Sequence, residues 1–430
     1  MQPLKWLKRL VRSERGNAIV VCAATLPLVI GSAAIGVDTI QVSLARRQLQ
    51  RAADSAAISG ALAKHAEQNV ETAVNYDLTL NNDLTVATTT IQNAPTVGPY
   101  AGNDRAVRVV LSATRSVPFI HFFTGSSMTV TTEATAMAIF QGEYCAISLE
   151  NANVSGAIDM GGSANVNLGC GMITNSTSST AVTAGGSAHV TASPMAAVGG
   201  VPSSAAYTSD TVRLPFSPAQ RDPYAGLPTP TVPGGCSTNE LSAQPQDNFT
   251  ISGATNAQGG YISPGVYCYN GIDIKGNVVL PSDSIIYVDG GTFNVNSGAH
   301  ITGERITFIL TSSTATSDPA SIAQLSINGG AELDLTAPDS GTYSGVLFYQ
   351  DRRAQYGSSS INGNSNSSLR GAWYFPNRQL VFNGTAGMST QCVQLVARRL
   401  SFTGNAAISN TCPAGSGSQA YDATFVRLVA

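Results

Sequence analysis

Residues 17–37 carry no charge, and no other feature of the chain limits its fold so strongly. A hydrocarbon core of about 30 Å takes about 20 residues of α-helix to cross, so this run is long enough to span one. Lys5, Lys8, Arg9, Arg12 and Arg15 precede it against a single acid, Glu14. Short basic flanks stay on the cytoplasmic side. The reading is a cytoplasmic basic leader at 1–16, a transmembrane helix at 17–37, and an extracytoplasmic bulk from 38 to 430. A cleaved secretory signal competes with it, but such a signal has an apolar region of only about 7 to 15 residues.

Beyond the span the helix is expected to run on. No proline occurs between Asp38 and Leu80, and good helix formers crowd residues 44–50. Ala45, Leu49, Ala52, Ala53, Ala56, Gly60 and Ala63 recur at three- and four-residue intervals, which puts a stripe of small side chains on one face. Either the chain's own strands or helices of another subunit can pack closely there. Residues 84–91, 106–111 and 128–132 read as three strands with Gly, Pro and Asn between them. Between the last two, Phe119, Ile120, Phe122 and Phe123 form an apolar cluster bounded by Pro118 and Gly125. Residues 38–142 therefore predict a small pilin-like α+β domain, a helix followed by an antiparallel sheet.

From residue 143 the texture changes to short apolar words separated by Gly, Asn and Ser, such as GIDIKGNVVL and GGTFNVNSGAHITGERITFIL. With 42 glycines and only 11% charged residues, the composition suits an all-β architecture. Short strands with regular corners point to a right-handed parallel β-helix over 143–430, with a β-sandwich as the alternative. Nine of the 20 prolines fall between Pro194 and Pro245, so the insert 176–245 is no interior strand. Phe216, Tyr224 and Leu227 predict that it lies as a strap against the body. A second insert, 350–368, reads as a polar surface loop.

Of seven cysteines, Cys22 lies in the span and six lie beyond it. An even number in an oxidising compartment suggests three bridges. Neighbours in sequence are the least entangled choice: Cys145 with Cys170, Cys236 with Cys268, and Cys392 with Cys412.

Chemistry-bearing motifs are scarce. His65, His121, His189 and His300 are scattered, no two cysteines stand at zinc-knuckle spacing, and no nucleophile elbow, P-loop or dinucleotide fingerprint is present. No cofactor is expected, and the chain reads as a non-enzyme. A net charge of −3 with the basic cluster confined to the leader excludes nucleic-acid binding. Asp159, Asp273 and Asp334 each sit between two apolar residues and point outward from a strand. If two of them stacked side by side they would resemble the paired carboxylates of a polysaccharide-active β-helix enzyme. Trp373 and Tyr374, with Tyr343, Phe348 and Tyr349 upstream, are candidates for a glycan- or protein-binding strip.

The run RGN, the apolar span, GVD at 36–38 and ARRQLQRAADSAAISGALA at 45–63 together resemble the N-terminal segment of TadG-like proteins of the tight-adherence (Tad, or Flp) pilus-assembly system. The resemblance is dense over 14–63 and thins toward Gln141. A processed prepilin would carry Glu where this chain has Val21, and the metal motif of the von Willebrand type A domain found in many members is missing. The resemblance implies a single-pass protein of the bacterial inner membrane. It would take part in Flp pilus assembly, meeting pilins or assembly proteins through the membrane-proximal helix, with the β-helix as scaffold or adhesive surface. An adhesin unrelated to pili is the remaining alternative.

Overall fold

A computed structural model describes residues 14–81, 85–362, 367–383, 387–404, 407–411 and 421–429. The chain divides into two compact units, Met1–Ile139 with Phe425–Ala430, and Phe140–Thr424. The last residues thus cluster with the first unit, where the sequence-based division assigned them to the second.

In the first unit one helix, α1, runs unbroken from Glu14 to His65, about 78 Å at 1.5 Å per residue. Its two halves meet different surroundings. Leu28, Val29, Ile30 and Ile35 are exposed, whereas Leu49, Ala53, Ala56, Ala57 and Ala61 are fully buried. The helix stops 30 residues ahead of the next proline or glycine, Pro95, at a turn in which Glu67 adopts a positive φ of 54°. Asn69 then caps a second helix, α2 (Val70–Asn81), by accepting from Thr72 N at 2.8 Å. The continuous helix expected to about residue 80 is therefore two helices, and Asn69 ahead of Val-Glu-Thr is the start signal that marks the break.

The small side chains of α1 determine how close its neighbours come. A Cβ placed at Gly60 would lie 2.8 Å from Val74 Cγ2 and 2.9 Å from Val107 Cγ1, inside contact distance of both α2 and the sheet. That sheet has β1 (Thr88–Gln92), β2 (Ala106–Arg115) and β3 (Met128–Ser148), with β2 antiparallel to both others. Val107, Val109, Leu111 and Ala113 on β2, which alternate with half-buried residues, and Val130, Ala134 and Ala136 on β3 form one core with Leu49, Ala52, Ala53 and Ala56. Val426 packs against the same core, and Val429 N–H donates to Thr135 O at 2.8 Å.

The second unit is sheet-rich, and its strands pair mostly in parallel. Three ladders can be followed. In the first, the strands run in spatial order Val266–Tyr269, Ser284–Asp289, Ile306–Thr311, Val346–Gln350, 372–375, 395–397, 146–148, Gly171–Thr174, Met195–Ala197 and Arg213–Leu214. The other two repeat that order, from Leu241–Ala243 to Val182–Ala184 and from Asn248–Thr250 to His189–Thr191. Inward positions stack like on like: Ile274, Val295, Ile327, Ile361, Phe382, Phe402 and Met160 are successive partners in the second ladder. All of them are buried.

The order is not that of the sequence. The chain enters the stack in its middle, builds outward to Leu214, and resumes at the opposite end with Leu241. It then builds back until 395–411 pair with 146–167, as Leu400 with Ile158 and Ile408 with Val166. Nine strand spacings of about 4.8 Å separate the ends of the first ladder, roughly 43 Å, and residues 215–240 at about 3.3 Å each reach twice that. The slack lets this Pro-rich segment follow the surface as a strap. Tyr224 and Leu227 pack against the outer face of the first ladder. Phe216, expected there too, is 81% exposed.

The junction of first and last strands is closed by a buried carboxylate. Glu150, 1% exposed, accepts from Arg398 Nε and Arg399 Nε, both at 2.9 Å, while Leu149 N and Glu150 N donate to Ala397 O and Arg398 O. Burial alone would raise the Glu150 carboxyl. The hydrogen bonds from the two arginines outweigh it and hold the group below its usual range. Because the folded value is depressed, the stability it contributes is complete above the ordinary glutamate value of about 4.3 and is lost as pH falls through the depressed one. Thermal unfolding of the full chain followed from pH 7 to pH 3 should therefore hold its midpoint down to about pH 5 and drop below it. Glu150→Ala, which leaves two arginines facing a vacated site, should cost about 2–4 kcal/mol and flatten that acid limb. In the first unit, Gly60→Leu should lower stability by about 1–3 kcal/mol through overpacking against Val74 and Val107, read as a lower melting midpoint.

Candidate functional site

The carboxylate of Asp38 is the first charge after the apolar run, and it is turned inward with 1% of its surface exposed. It meets a short helix, α3 (Pro118–Thr124), in the connection between β2 and β3. Pro118 presets the first helical turn, but Val117 at the N-cap has no side chain able to accept a hydrogen bond. Asp38 does that work from 80 residues away. Its Oδ2 accepts from Ile120 N at 2.7 Å and its Oδ1 from Phe119 N at 3.4 Å, satisfying amides that no helical carbonyl reaches. The helix closes at Gly125, whose φ of 64° is left-handed and whose N–H donates to His121 O at 2.8 Å.

The result is a collar at the point where α1 leaves its apolar run. The aromatic surface of α3 faces away from the core: Phe122 is 81% and Phe119 38% exposed, and Ile120 is half-buried. A groove of about 270 Å³ lies beside it, lined by Gln41, Val42, Leu44, Ala45 and Gln48 of α1 and by Arg115, Ser116 and Val117. The small-residue face, Ala45, Leu49, Ala52, Ala53, Ala56, Gly60 and Ala63, is buried throughout. It is occupied by α2 and the sheet, so a partner of this helix must meet a different face.

The second unit separates the residues that a catalytic reading would join. Asp159 has Thr183 and Ser401 as lateral partners, Asp273 has Ser242 and Asn294, and Asp334 has Thr302 and Ser368. Asp334 stands on the third ladder, while Asp159 and Asp273 share the second. Six strand spacings of about 4.8 Å, roughly 29 Å, lie between those two, where paired glycosidase carboxylates stand about 5–9.5 Å apart. Each also has ordinary neighbours. Thr183 donates to Asp159 at 2.5 Å, and Asp273 takes Lys275 at 2.8 Å together with Asn294 and Asn296. Among the described residues no cluster of three or more His, Cys, Asp or Glu is arranged to hold a metal.

The aromatic strip requires a correction. Trp373 is 1% exposed because its register in the first ladder is an inward one, between Phe348 and Leu395. Tyr374 does point outward, but the strap covers it. Tyr224 packs edge-on at 5.4 Å, and the Tyr374 hydroxyl donates to Asp222 at 2.7 Å. Neither residue offers a surface for a ligand. The strap is pinned further along by Arg352, which donates to Leu227 O and Tyr224 O, by Tyr349, which donates to Pro228 O, and by Arg353, which bridges Asp351 and Pro230 O. Cys236 is joined to Cys268 at its far end, with 4.9 Å between their Cα atoms, and Cys145 is joined to Cys170 at 5.9 Å. Cys412 and the side chain of Cys392 lie outside the described residues.

Sequence reasoning marked Asp38 only as part of a pattern and passed over Glu150, Arg352 and Arg398. The signal for Asp38 was legible as a deficit: a Pro-initiated helix without a local cap requires an acceptor from elsewhere. Asp38→Ala should speed amide exchange at Phe119 and Ile120 by tenfold or more and cost about 1–2 kcal/mol, and Asp38→Asn should lose less because one carbonyl acceptor remains.

Residues 16–63 match a family model described as putative Flp pilus-assembly TadE/G-like. The match contains the apolar run, Asp38 and the whole small-residue face. No curated protein and no solved structure matches the chain.

Proposed function

We propose that this chain, TadE/G-like over residues 16–63, is a non-enzymatic component of Flp pilus assembly, held in the bacterial inner membrane by one helix with its N-terminus cytoplasmic and both units outside. The observation that carries this reading is the division of α1. Its first half is apolar and exposed, with mean hydropathy 1.8 over the best window, and its second half is the core of a folded unit. A soluble core helix would be covered along both halves, and a cleaved leader would not continue into the domain it delivers. The basic residues ahead of the span support the orientation.

The second unit reads best as a parallel β-helix. Three parallel ladders whose strands follow one another around each tier support it, and the right-handed crossover preference of parallel strands gives the hand. Antiparallel sandwich sheets would not produce such ladders. The domain divisions then fall at 1–16, 17–37, 38–139 together with 425–430, and 140–424. In this reading the β-helix is a rigid scaffold with polar outer rows of Ser, Thr, Asn and Asp, presented to periplasmic or outer-membrane components of the pilus system. Roughly 29 Å between Asp159 and Asp273 speaks against the polysaccharide-active alternative, and the strap over Tyr374 speaks against an aromatic glycan strip.

Deletion of the gene, with complementation by the full chain, tests the proposal. Flp filaments and tight adherence should be lost and restored, the protein should resist alkaline extraction from inner membranes, and residues beyond 38 should be protease-accessible in spheroplasts. Normal filament number in the deletion strain would overturn the assembly role. Asp159→Ala, Asp273→Ala and Asp334→Ala should leave piliation unchanged.

A further inference from the structure

Beyond the apolar half of α1, the most exposed large apolar side chain described in the first unit is Phe122 of α3, ahead of Tyr76 at 67% and Leu80 at 63%. A Phe that is 81% exposed is an expensive residue to keep in water, and here it has a neighbouring Phe and a half-buried Ile on the same short helix. The helix is also located by a measurable tether. Residues 17–37 at 1.5 Å each span about 31 Å, so in a bilayer Asp38 stands at the outer edge of the hydrocarbon. Asp38 binds the first turn of α3 directly, through Ile120 N at 2.7 Å and Phe119 N at 3.4 Å. Seven residues of helix extend about 10 Å, so Phe122 lies within about 10 Å of that edge whichever way α3 points. The interfacial zone of a bilayer is about 5–7 Å deep on each side, and apolar faces of interfacial helices sink about 5–10 Å into it.

We infer that α3 is an interfacial foot: Phe119 and Phe122 insert into the outer headgroup and acyl boundary of the membrane that α1 crosses, and Asp38 locks the foot to the exit of the span. The occupant of this surface is phospholipid. It is continuous with the exposed apolar residues of α1, where Ile35, Val37 and Ile40 are 69%, 45% and 61% exposed. His121, Thr124 and Ser126 give the foot a polar side, as an interfacial element requires. Two attachments, span and foot, restrict tilt and rotation of α1 where one helix alone leaves both free. The inference rests on the reading of α1 as a membrane span.

The test uses the full chain in vesicles of phosphatidylethanolamine and phosphatidylglycerol, with the photoreactive residue p-benzoylphenylalanine replacing, one at a time, Leu28 in the span, Phe122 in the foot, and Tyr76 on α2. All three native residues are exposed, at 74%, 81% and 67%, so the replacements leave the core intact. After illumination, intact mass reports phospholipid adducts. The expected result is adduct at position 122 within about threefold of position 28 and at least about tenfold above position 76. Lipid adduct at 28 without any at 122, or a protein adduct at 122 in its place, overturns the foot and leaves the anchor standing. Absence of lipid adduct at both positions overturns the anchor and the foot together.

Discussion

A carboxylate with 1% of its surface exposed persists only where cations and amides surround it, and Glu150 has Arg398, Arg399 and Ala152 N. The second unit depends on that meeting. Two runs of strands, one built outward from the middle and the other built back to it from the opposite end, must come together there in register. Hydrophobic stacking supplies the bulk of the stabilisation along each ladder but discriminates little between neighbours, because the inward positions are apolar throughout and most hold Ile, Val, Leu, Phe, Met or Ala. The buried ion cluster is specific: a slip of one tier would leave Glu150 without its arginines.

The same distinction decides what was legible in the sequence. The long helix, the small-residue stripe, three strands of the first sheet and the word-like texture after residue 143 all follow from local periodicity, which one segment carries by itself. The strap was readable from its prolines only over 215–240. The insert read at 176–245 begins with the ladder strands Val182–Ala184, His189–Thr191 and Met195–Ala197, and the polar loop read at 350–368 contains another, Gly357–Asn362, whose Ile361 is buried. The order of strands was not, since Ile274 and Ile361 look alike until their partners are known. Trp373 and Tyr374 illustrate the same limit. An outward aromatic has one sequence signature whether water or a strap covers it, and an inward one differs only in register. The turn at 66–69 escaped notice because Asn69 announces a helix start without any Gly or Pro to announce the stop before it.

In the first unit, the geometry of α1 divides the labour between its faces. Gly60 and the alanines allow α2 and the sheet to approach closely, and Ser55 and Ser59 add hydrogen bonds to Asp77 and Ala73 O across the α1–α2 contact. One buried face then serves the domain, while the apolar half of the helix remains exposed. A single carboxylate connects the two roles, because the residue that ends the apolar run also starts α3.

The placement of the seam has a consequence for timing. A ribosome adds about 5–20 residues per second, and roughly 245 residues separate positions in 146–167 from their partners, as Ile158 from Leu400, so one edge of the first three tiers stays unpaired for roughly 12 to 49 seconds. During that interval the ladders present free N–H and C=O groups, the template for pairing with any extended chain nearby. Cys145–Cys170 spans two of these early tiers and stiffens them while they wait. A chain interrupted before residue 395 keeps that edge open for good, so completeness of synthesis and closure of the fold are the same event.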